Sequence, residues 1–393
     1  MRMRLGEKMN EIYLDNAATT CPHPKVVEEM MRYYTDYYGN PSSLYNKGIE
    51  AEKAIKSVRE KLAQILHCGS DELYFTSGGT EGNNTLIKGI VENQRIRNMR
   101  IITTKIEHPS ILEVFKFYED HGIEVIYLPV DAKGLVDQTV LKNSITEHTV
   151  LVSIMGVNNE IGTIQDLKKI GALIKEGNPH CLFHTDYVQG FMKVPIDVKA
   201  CKIDALTLCA HKICGPKGVG AVYLRKNIRI KPLIIGGGQE NNIRSGTENV
   251  PGIMGLGKAA ELYAEAGMTK LAKIKEIKET MIQALSGVEG LCVNGDENGC
   301  PFILSLSFEN IRGEVLLHTL EAKKIYISTG SACSSHKKEK QHVLRAIGLS
   351  EKYKDGTIRI SFSIMTTKEE VLEAANIIKE SVIQLRKLMN RKK

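Results

Sequence analysis

Apolar and polar positions along the chain alternate between helical and strand periods. From Ala51 to Leu66, apolar residues recur every three or four positions, which predicts an amphipathic helix. Short apolar runs follow, separated by helix-length segments with turn residues at the joins. These runs are Leu73–Thr76, Arg100–Thr103, Val125–Leu128, Val150–Met155, Ala205–Cys209 and Val219–Leu224. The alternation predicts an α/β domain with a mostly parallel sheet covered by helices on both faces.

The pattern changes after Pro251, where strand-like runs cluster between longer helical segments. The predicted elements there are helices at Ile253–Ala264 and Leu271–Leu285, strands at Phe302–Phe308, Ile325–Ser328 and Thr357–Ser363, and a final amphipathic helix from about Lys368. We therefore expect two domains. Residues 15–255 form the large α/β domain, and residues 1–14 with 256–393 form a smaller α+β domain.

Composition and charge narrow the class of protein. In 393 residues, no apolar stretch approaches the roughly 20 residues of a membrane helix, so no membrane contact is expected. The net charge of +7 arises partly at the chain ends, which we interpret as solvated tails, and no direct nucleic-acid binding is expected. The N-terminus lacks the apolar segment of a secretory signal. Nine scattered cysteines without a Cys-x-x-Cys pair indicate reduced thiols and a cytoplasmic location.

Three polar segments follow predicted strands of the large domain. Ser77–Asn84 is a glycine-rich turn before a helix, which is either a phosphate site or an ordinary capped turn. Asp186 either faces a ligand at the sheet edge or caps the next helix. Lys212 is either a Schiff-base nucleophile or a solvated loop lysine. Together, a phosphate cradle, a carboxylate and a lysine are what pyridoxal phosphate requires.

Cys333 lies in a run of small polar residues, Ser328–Lys338, that has no apolar periodicity. The run predicts a mobile loop with an exposed thiol. His336 and Lys337 nearby favour the thiolate form of that thiol. The alternative is an incidental surface cysteine, which a neighbouring pyridoxal phosphate site makes less favoured.

Motifs spread over almost the whole chain resemble those of one enzyme family. They are Tyr13–Thr20, Gly39–Ser43, Thr76–Glu81, Glu107–His108, Val157–Gly162, His211–Lys212, Arg244–Thr247, Ser331–Cys333 and Arg359–Phe362. This set resembles the cysteine desulfurases, which are class-V, fold-type I pyridoxal phosphate enzymes. The resemblance implies a large domain with a mostly parallel, seven-stranded-type sheet and a smaller α+β domain. The segment after Cys333 resembles the long-loop branch, in which the cysteine transfers sulfur to an acceptor protein.

The resemblance also implies a role for each matching residue. Lys212 binds the cofactor covalently, His108 stacks on its ring and assists proton transfer, and Cys333 is the nucleophile. The other expected cofactor-binding residues are Gly79, Thr80, Asn159, Asp186, Gln189, Cys209, His211 and Thr247. Asp186 is expected at the pyridine nitrogen. Thr247 is expected to reach the partner subunit's phosphate, which implies a homodimer.

The substrate implied by the resemblance is L-cysteine, whose carboxylate is expected at Arg359 with Asn40 and Asn159 nearby. The products are L-alanine and a persulfide on Cys333, which passes to an acceptor such as an iron–sulfur scaffold protein. Thio-cofactor synthesis and tRNA thiolation remain open as pathways. The resemblance further allows Cys333 to ligate an iron–sulfur cluster shared with a scaffold protein.

Two other functions stay open at this point. One is a selenocysteine lyase or another β-eliminating pyridoxal phosphate enzyme, and the other is a sulfur-carrier scaffold without turnover. The chain also departs from the family pattern in four places: Cys209-Ala210 replaces Ser-Gly, Tyr187 replaces a small residue, Gly156 a histidine and Ile364 an arginine. The first departure bears on cofactor affinity, and the others on substrate or partner preference.

Overall fold

The computed structural model describes residues 11–330 and 341–390. Its strands are β1 (Ile12–Tyr13), β2 (Leu73–Thr76), β3 (Arg100–Thr104), β4 (Glu124–Leu128), β5 (Thr149–Ser153), β6 (Leu182–Asp186), β7 (Ala205–Cys209), β8 (Gly220–Leu224), β9 (Leu291–Asn294), β10 (Ile303–Phe308), β11 (Ile325–Tyr326) and β12 (Thr357–Ser361). Its helices are α1 (Pro24–Thr35), α2 (Asn46–Leu66), α3 (Gly79–Asn93), α4 (Pro109–Asp120), α5 (Gln138–Ser144), α6 (Leu167–Gly177), α7 (Val250–Leu285), α8 (Gly313–Glu321), α9 (His342–Ala346), α10 (Glu351–Lys354) and α11 (Lys368–Asn390). Two 3₁₀ turns occur at Ser70–Glu72 and Glu240–Asn242.

These elements fall into two compact units. The larger comprises residues 20–158 and 163–267, and the smaller contains the described residues 11–19, 159–162 and those after 267. The sequence predicted divisions after residues 14 and 255, with residues 159–162 inside the large domain. In the structure, the division at 267 coincides with Gly267, whose φ of 55° and ψ of −167° interrupt α7.

Hydrogen bonds to residues of the smaller unit explain why residues 159–162 belong to it. The carbonyl oxygen of Gly162 accepts a 2.7 Å hydrogen bond from the backbone N–H of Cys300. The carbonyl oxygen of Asn159 accepts one from Nη1 of Arg359 at 3.0 Å. Both ends of the short segment are therefore attached to residues distant in sequence, which residue periodicity does not reveal.

The larger unit is built on a sheet of seven described strands in the order β2-β8-β7-β6-β5-β3-β4. Its strands from β7 to β4 are parallel, and β8 is antiparallel to both of its neighbours. Two reversals restore the original direction, so β2 runs the same way as β7. Every strand except β8 therefore ends at one edge of the sheet, which confirms the mostly parallel α/β architecture predicted from the sequence.

The sheet is buried because its strands are apolar on both faces. β5, β7 and β8 are buried at every position, as expected for strands with helices above and below. Leu86, Ile90 and Phe115, from α3 and α4, belong to the apolar cluster that covers the sheet. The buried polar side chains of His184 and Thr207 lie in the middle of β6 and β7, whereas Thr76 and Asp186 lie at the ends of their strands.

The smaller unit has a different construction. β12, β10 and β9 form an antiparallel sheet in that order, and β1 pairs in parallel with β11. Helices α8 and α11 pack against each other in this unit. Within the described residues, no helix is both long and apolar enough to cross a membrane.

Candidate active site

Four sequence-predicted segments lie at the carboxyl edge of the large sheet. Ser77 follows β2, Asp186 ends β6, and the His211–Lys212 turn follows β7. His108 follows β3 after a short turn. Because these strands run in the same direction, their carboxyl ends share one edge, where open α/β sheets bind ligands.

Helix α3 presents an uncapped N-terminus at this edge. Its N-cap, Gly78, has φ 153° and ψ −173°, and no side chain accepts from the first turn. A Cβ atom built on Gly79 would lie 2.8 Å from Cγ2 of Val188, so a side chain there would force Val188 to move. Thr80 is exposed in the first turn. The free N–H groups and the helix dipole suit an anion such as phosphate.

Glu81 connects this turn to a second loop. Its Oε2 accepts a 2.5 Å hydrogen bond from Oγ of Ser77, and its Oε1 accepts one from Nε of Arg244 at 3.0 Å. Burial acts to raise the pKa of Glu81, but the bonds from Arg244 and Ser77 outweigh it and lower the pKa. The ionised carboxylate thus holds the Arg244 loop against the turn. Thr247, on that loop, is exposed and lines a cavity with Ser77.

Asp186 is buried and held at both carboxylate oxygens. Oδ2 accepts a 2.8 Å hydrogen bond from Nδ2 of Asn83, and Oδ1 accepts one from the backbone N–H of Val188 at 3.0 Å. The second bond is the turn-capping contact that the sequence left as an alternative. Asp186 therefore caps its own turn and also presents a fixed carboxylate at the sheet edge.

The lysine-bearing turn is braced by Thr20. Its hydroxyl donates to the carbonyl oxygen of His211 at 2.9 Å and accepts from the backbone N–H of Cys214 at 2.7 Å. Cys214 has a φ of 59°, a left-handed conformation that is strained for a residue with a side chain. Lys212 lies inside this bracketed turn and is partly buried. A fixed backbone reduces the freedom of the lysine side chain.

His211 and Cys209, which lie one and three residues before Lys212, are neutral. Burial, together with the charges of Lys212, Lys217 and Lys193, lowers the pKa of His211 to about 3. Burial also raises the pKa of Cys209 to about 11, with a further contribution from Asp186 opposed by Lys212. Cys209 is therefore a buried thiol at neutral pH. It supplies a weak donor where the family pattern has a hydroxyl.

His108 is the N-cap of α4 and is partly buried. Its Nδ1 accepts from the backbone N–H of Ser110 at 3.1 Å and lies 2.8 Å from Oγ of Ser110. The preceding residue, Glu107, is fully buried. Its Oε1 accepts from the backbone N–H of Met155 at 2.9 Å and from Oγ1 of Thr104 at 2.8 Å. Burial raises the pKa of Glu107 to about 8.

Arg359 and Asn159, two of the predicted substrate residues, belong to the smaller unit. Arg359 is 2% exposed, and its Nη2 lies 2.6 Å from Oδ1 of Asp15. Nη1 donates to the carbonyl oxygen of Asn159, while Nε has no partner among the described residues. The guanidinium is thus held by one carboxylate and retains donor capacity.

Three predicted site residues remain, Asn40, Gln189 and Cys333. Asn40 is exposed, and its Oδ1 accepts from the backbone N–H of Ser42 at 3.0 Å. Gln189 is buried, with Oε1 3.5 Å from Nζ of Lys193. Cys333, with its nucleophile and iron–sulfur assignments, lies outside the described residues.

Sequence analysis missed Asn83, Ser110 and Thr20 as individual site residues. Thr20 lies within a motif that carries the family resemblance and Asn83 within the glycine-rich segment Ser77–Asn84, but no local pattern shows what their side chains contact. Ser110 follows His108 by two residues, a spacing typical of a helix cap. Their partners are 27, 103 and 191 residues away, and only the folded sheet brings them together.

The residues present fit pyridoxal phosphate. An uncapped helix N-terminus suits the phosphate, a buried carboxylate at Asp186 suits a protonated pyridine nitrogen, and Lys212 supplies an amine on a fixed turn. Asn83 Oδ1, which is buried, has no partner among the described residues. The donor set is that of an organic phosphate cofactor rather than a metal.

A match to a protein-family model identifies the family of this chain. The model described as Aminotransferase class-V matches residues 12–373. The chain belongs to the class-V aminotransferase family. This membership implies pyridoxal phosphate as the cofactor, in agreement with the residues above.

Several proteins similar to this class-V family member have names that state an activity or a bound amino acid. It is 44% identical over 378 residues to a cysteine desulfurase IscS of Methanosarcina thermophila, covering 96% of this chain and 93% of the relative. A solved structure of a NifS-like protein superposes with a TM-score of 0.91 at 39% identity, covering 96% of this chain and 100% of that one. The structure of SspA in complex with cysteine gives 0.80 at 35% identity, covering 91% and 100%. The resemblance and the fold predicted from the sequence are therefore confirmed.

Proposed function

We propose that this class-V family member is a cysteine desulfurase, which converts L-cysteine to L-alanine and leaves a persulfide on Cys333. The observation that carries the proposal is the set Asp186, Lys212 and the α3 N-terminus at one sheet edge. A relative 44% identical over nearly the whole chain has this activity as its name. A structural neighbour holds cysteine.

Pyridoxal phosphate, when bound, supplies an electron sink for charge that develops on the substrate's Cα. The chain's own residues hold it. Asp186 is fixed by Asn83 and Val188 and is assigned to the pyridine nitrogen. The α3 N-terminus with Gly79 and Thr80 is assigned to the phosphate, together with His211.

The substrate carboxylate is assigned to Arg359. Its guanidinium already has a counter-charge in Asp15, and a charge-assisted bond to a second carboxylate uses donors that remain. Asn159 and Asn40 are assigned to the same substrate, and Gln189 with Asn159 to the cofactor's phenolic oxygen. The assignments of Arg359, Asn159 and Asn40 follow from the family motifs that these residues occupy, and that of Gln189 follows from the overall resemblance.

The sulfur step balances without an external oxidant. The thiolate of Cys333 forms a bond to the substrate sulfur while the Cβ–S bond of the substrate breaks. The Cα proton of the substrate is removed before this step. The electron pair of the broken bond stays with the amino-acid fragment, which takes up a proton at Cβ and regains one at Cα to become alanine. The sum is cysteine plus a thiol giving alanine plus a persulfide, which passes to an acceptor such as an iron–sulfur scaffold protein.

The test measures alanine and sulfide after incubating the purified chain with pyridoxal phosphate, L-cysteine and a reductant. Wild type is expected to form alanine, and Cys333→Ala to lose nearly all of it. Cys292→Ala, at a half-buried cysteine of β9, is the matched control and is expected to keep full activity. Equal alanine from wild type and Cys333→Ala contradicts the persulfide on Cys333 and indicates a lyase that releases sulfur directly, for which selenocysteine is the next substrate to test. Pyruvate in place of alanine indicates a β-eliminating enzyme.

A second comparison tests the cofactor lysine. Lys212→Ala is expected to lose the visible absorbance of the cofactor bound to lysine, which survives desalting in the wild type. Lys217→Ala changes an exposed lysine five residues further on and is expected to retain it. Loss of the band in both variants, or in neither, argues against Lys212.

We also propose that the chain acts as a homodimer. Six large apolar side chains are exposed within residues 27–45: Val27, Met31, Tyr34, Tyr38, Leu44 and Tyr45. Leu44 is 95% exposed, and large apolar patches on soluble proteins mark interaction sites. Light scattering after size exclusion is expected to give twice 43.7 kDa, and Leu44→Asp to shift it towards 43.7 kDa. A monomeric wild type contradicts the proposal.

A further inference from the structure

Hydrogen bonds join Asp186 to His108 through the side chains of Asn83 and Ser110, neither of which is assigned to the cofactor or the substrate. Nδ2 of Asn83 lies 2.8 Å from Oδ2 of Asp186 and 2.8 Å from Oγ of Ser110. Oγ of Ser110 lies 2.8 Å from Nδ1 of His108. Asn83 is fully buried, and Asp186 and Ser110 are nearly so. All four residues belong to the larger unit.

The chemistry of the groups fixes the direction of these bonds. An ionised carboxylate only accepts hydrogen bonds, so the group facing Asp186 must be the amide nitrogen of Asn83. That nitrogen carries two hydrogens, and the second points to Oγ of Ser110. The hydroxyl therefore accepts from Asn83, and its own hydrogen is free to be donated to Nδ1 of His108.

A backbone group acts on the same ring nitrogen. Because His108 is the N-cap of α4, the N–H of Ser110 also donates to Nδ1, at 3.1 Å. A ring nitrogen that faces two donors carries no hydrogen. In the neutral ring, the hydrogen is then on Nε2.

We propose that Asn83 and Ser110 are positioning residues for His108, which hold Nδ1 as an acceptor and fix the ring with its hydrogen on Nε2. The ring then offers a hydrogen-bond donor at Nε2. The carboxylate of Asp186 sets the orientation of Asn83, so one side chain orients both Asp186 and, through Ser110, His108. The tautomer assignment stands on the geometry alone, and its effect on turnover rests on the proposed function.

The primary test reads the tautomer by NMR, without turnover. ¹⁵N-histidine-labelled full-length chain is measured in the cofactor-free and the loaded form, and His108→Gln identifies the His108 signals. Nδ1 is expected at the shift of an unprotonated, hydrogen-bonded ring nitrogen, with the hydrogen on Nε2. In Ser110→Ala, the Nδ1 signal is expected to move because one donor is lost. A protonated Nδ1 in the wild type overturns the proposal.

A matched control comes from the same sheet. Ser153 lies 2.8 Å from Nδ1 of His184, another buried serine–histidine pair. Ser153→Ala is expected to move the His184 signals and to leave those of His108 unchanged. His108 signals that stay unchanged in Ser110→Ala overturn the proposal. Ser110→Thr, which keeps a hydroxyl, is expected to restore the wild-type position.

Kinetics of alanine formation separate positioning from general damage. Ser110→Ala is expected to lower kcat about tenfold, a fraction of what proton-transfer groups contribute, with KM for L-cysteine changed by less than about twofold. Ser110→Thr is expected to recover most of kcat. An equal kcat in Ser110→Ala and wild type overturns the catalytic part. If the wild type forms no alanine, the proposed function fails, and the NMR result still decides the tautomer.

Discussion

Tyr187 fills the space beside Gly156. A Cβ atom built on Gly156 would lie 2.4 Å from Cδ2 of Tyr187, and one on Gly190 would lie 2.5 Å from its Cε2. The tyrosine is buried, and its hydroxyl donates to the carbonyl oxygen of Val194 at 2.8 Å. Two of the four departures from the family pattern are therefore one feature, because a large side chain at 187 excludes any side chain at 156. This packing also supports the end of β6, where Asp186 lies.

The first prediction concerns this pair. Gly156→Ala is expected to lower the free energy of unfolding by about 1–3 kcal/mol, because the added methyl group overlaps the tyrosine ring. The measurement is urea-induced unfolding followed by far-UV circular dichroism. In the double variant with Tyr187→Ala, the alanine at 156 is expected to cost nothing further or to fill part of the cavity. A cost for Gly156→Ala that is the same with and without Tyr187 contradicts the packing.

The second prediction concerns Glu107, whose pKa burial raises from its usual 4.5 to about 8. Between these values the native state holds a proton that the unfolded chain releases. Glu107 therefore contributes a loss of stability as pH rises from about 4.5 to about 8, with a slope of up to about 1.4 kcal/mol per pH unit. Glu107→Gln keeps the acceptor oxygen that binds Met155 and Thr104 and is expected to remove this slope.

The control for this prediction is a comparison of the unfolding free energies of the wild type and Glu107→Gln across a series of pH values. Urea unfolding at pH 5 is expected to give nearly equal stability for the wild type and Glu107→Gln. At pH 8 the variant is expected to be the more stable. A constant difference across the series rules out a buried, protonated Glu107.

The third prediction concerns the buried pair of Arg359 and Asp15. Asp15→Asn removes the counter-charge of a guanidinium that is 2% exposed and is expected to cost about 3 kcal/mol of unfolding free energy. Glu124→Gln provides the comparison, because Glu124 pairs with Arg100 at 2.8 Å at an exposed site. There the expected loss is below about 1 kcal/mol. Similar losses in both variants would show that Asp15 does not compensate a buried charge.

The fourth prediction concerns the brace at the lysine turn. Thr20→Val removes the hydroxyl that binds both His211 and Cys214 and leaves the Cys214 N–H without that acceptor. It is expected to cost about 1–3 kcal/mol and to weaken cofactor binding in an absorbance titration. Thr20→Ser retains the hydroxyl and is expected to behave close to the wild type. Full cofactor affinity in Thr20→Val would mean that the turn does not need the brace.

The sequence alone determined the α/β class and showed that Ser77, Asp186 and Lys212 each follow a short apolar run. Each of these depends on a local pattern: an apolar run, then glycine, a carboxylate or a lysine. Helix α7 follows the same rule. It is interrupted at Gly267, whose φ of 55° and ψ of −167° are not helical, and this break lies between the two helices predicted at Ile253–Ala264 and Leu271–Leu285.

Only the tertiary structure decided which side chains meet. Asn83 reaches Asp186 across 103 positions, and Arg359 reaches Asp15 across 344. These contacts follow from strand order and direction, which set the neighbours of each strand end. The attachment of residues 159–162 to the smaller unit and the fit of Tyr187 against Gly156 arise in the same way. Residue type and spacing specify what chemistry a strand end offers, whereas the order of strands in the sheet specifies what that chemistry acts with.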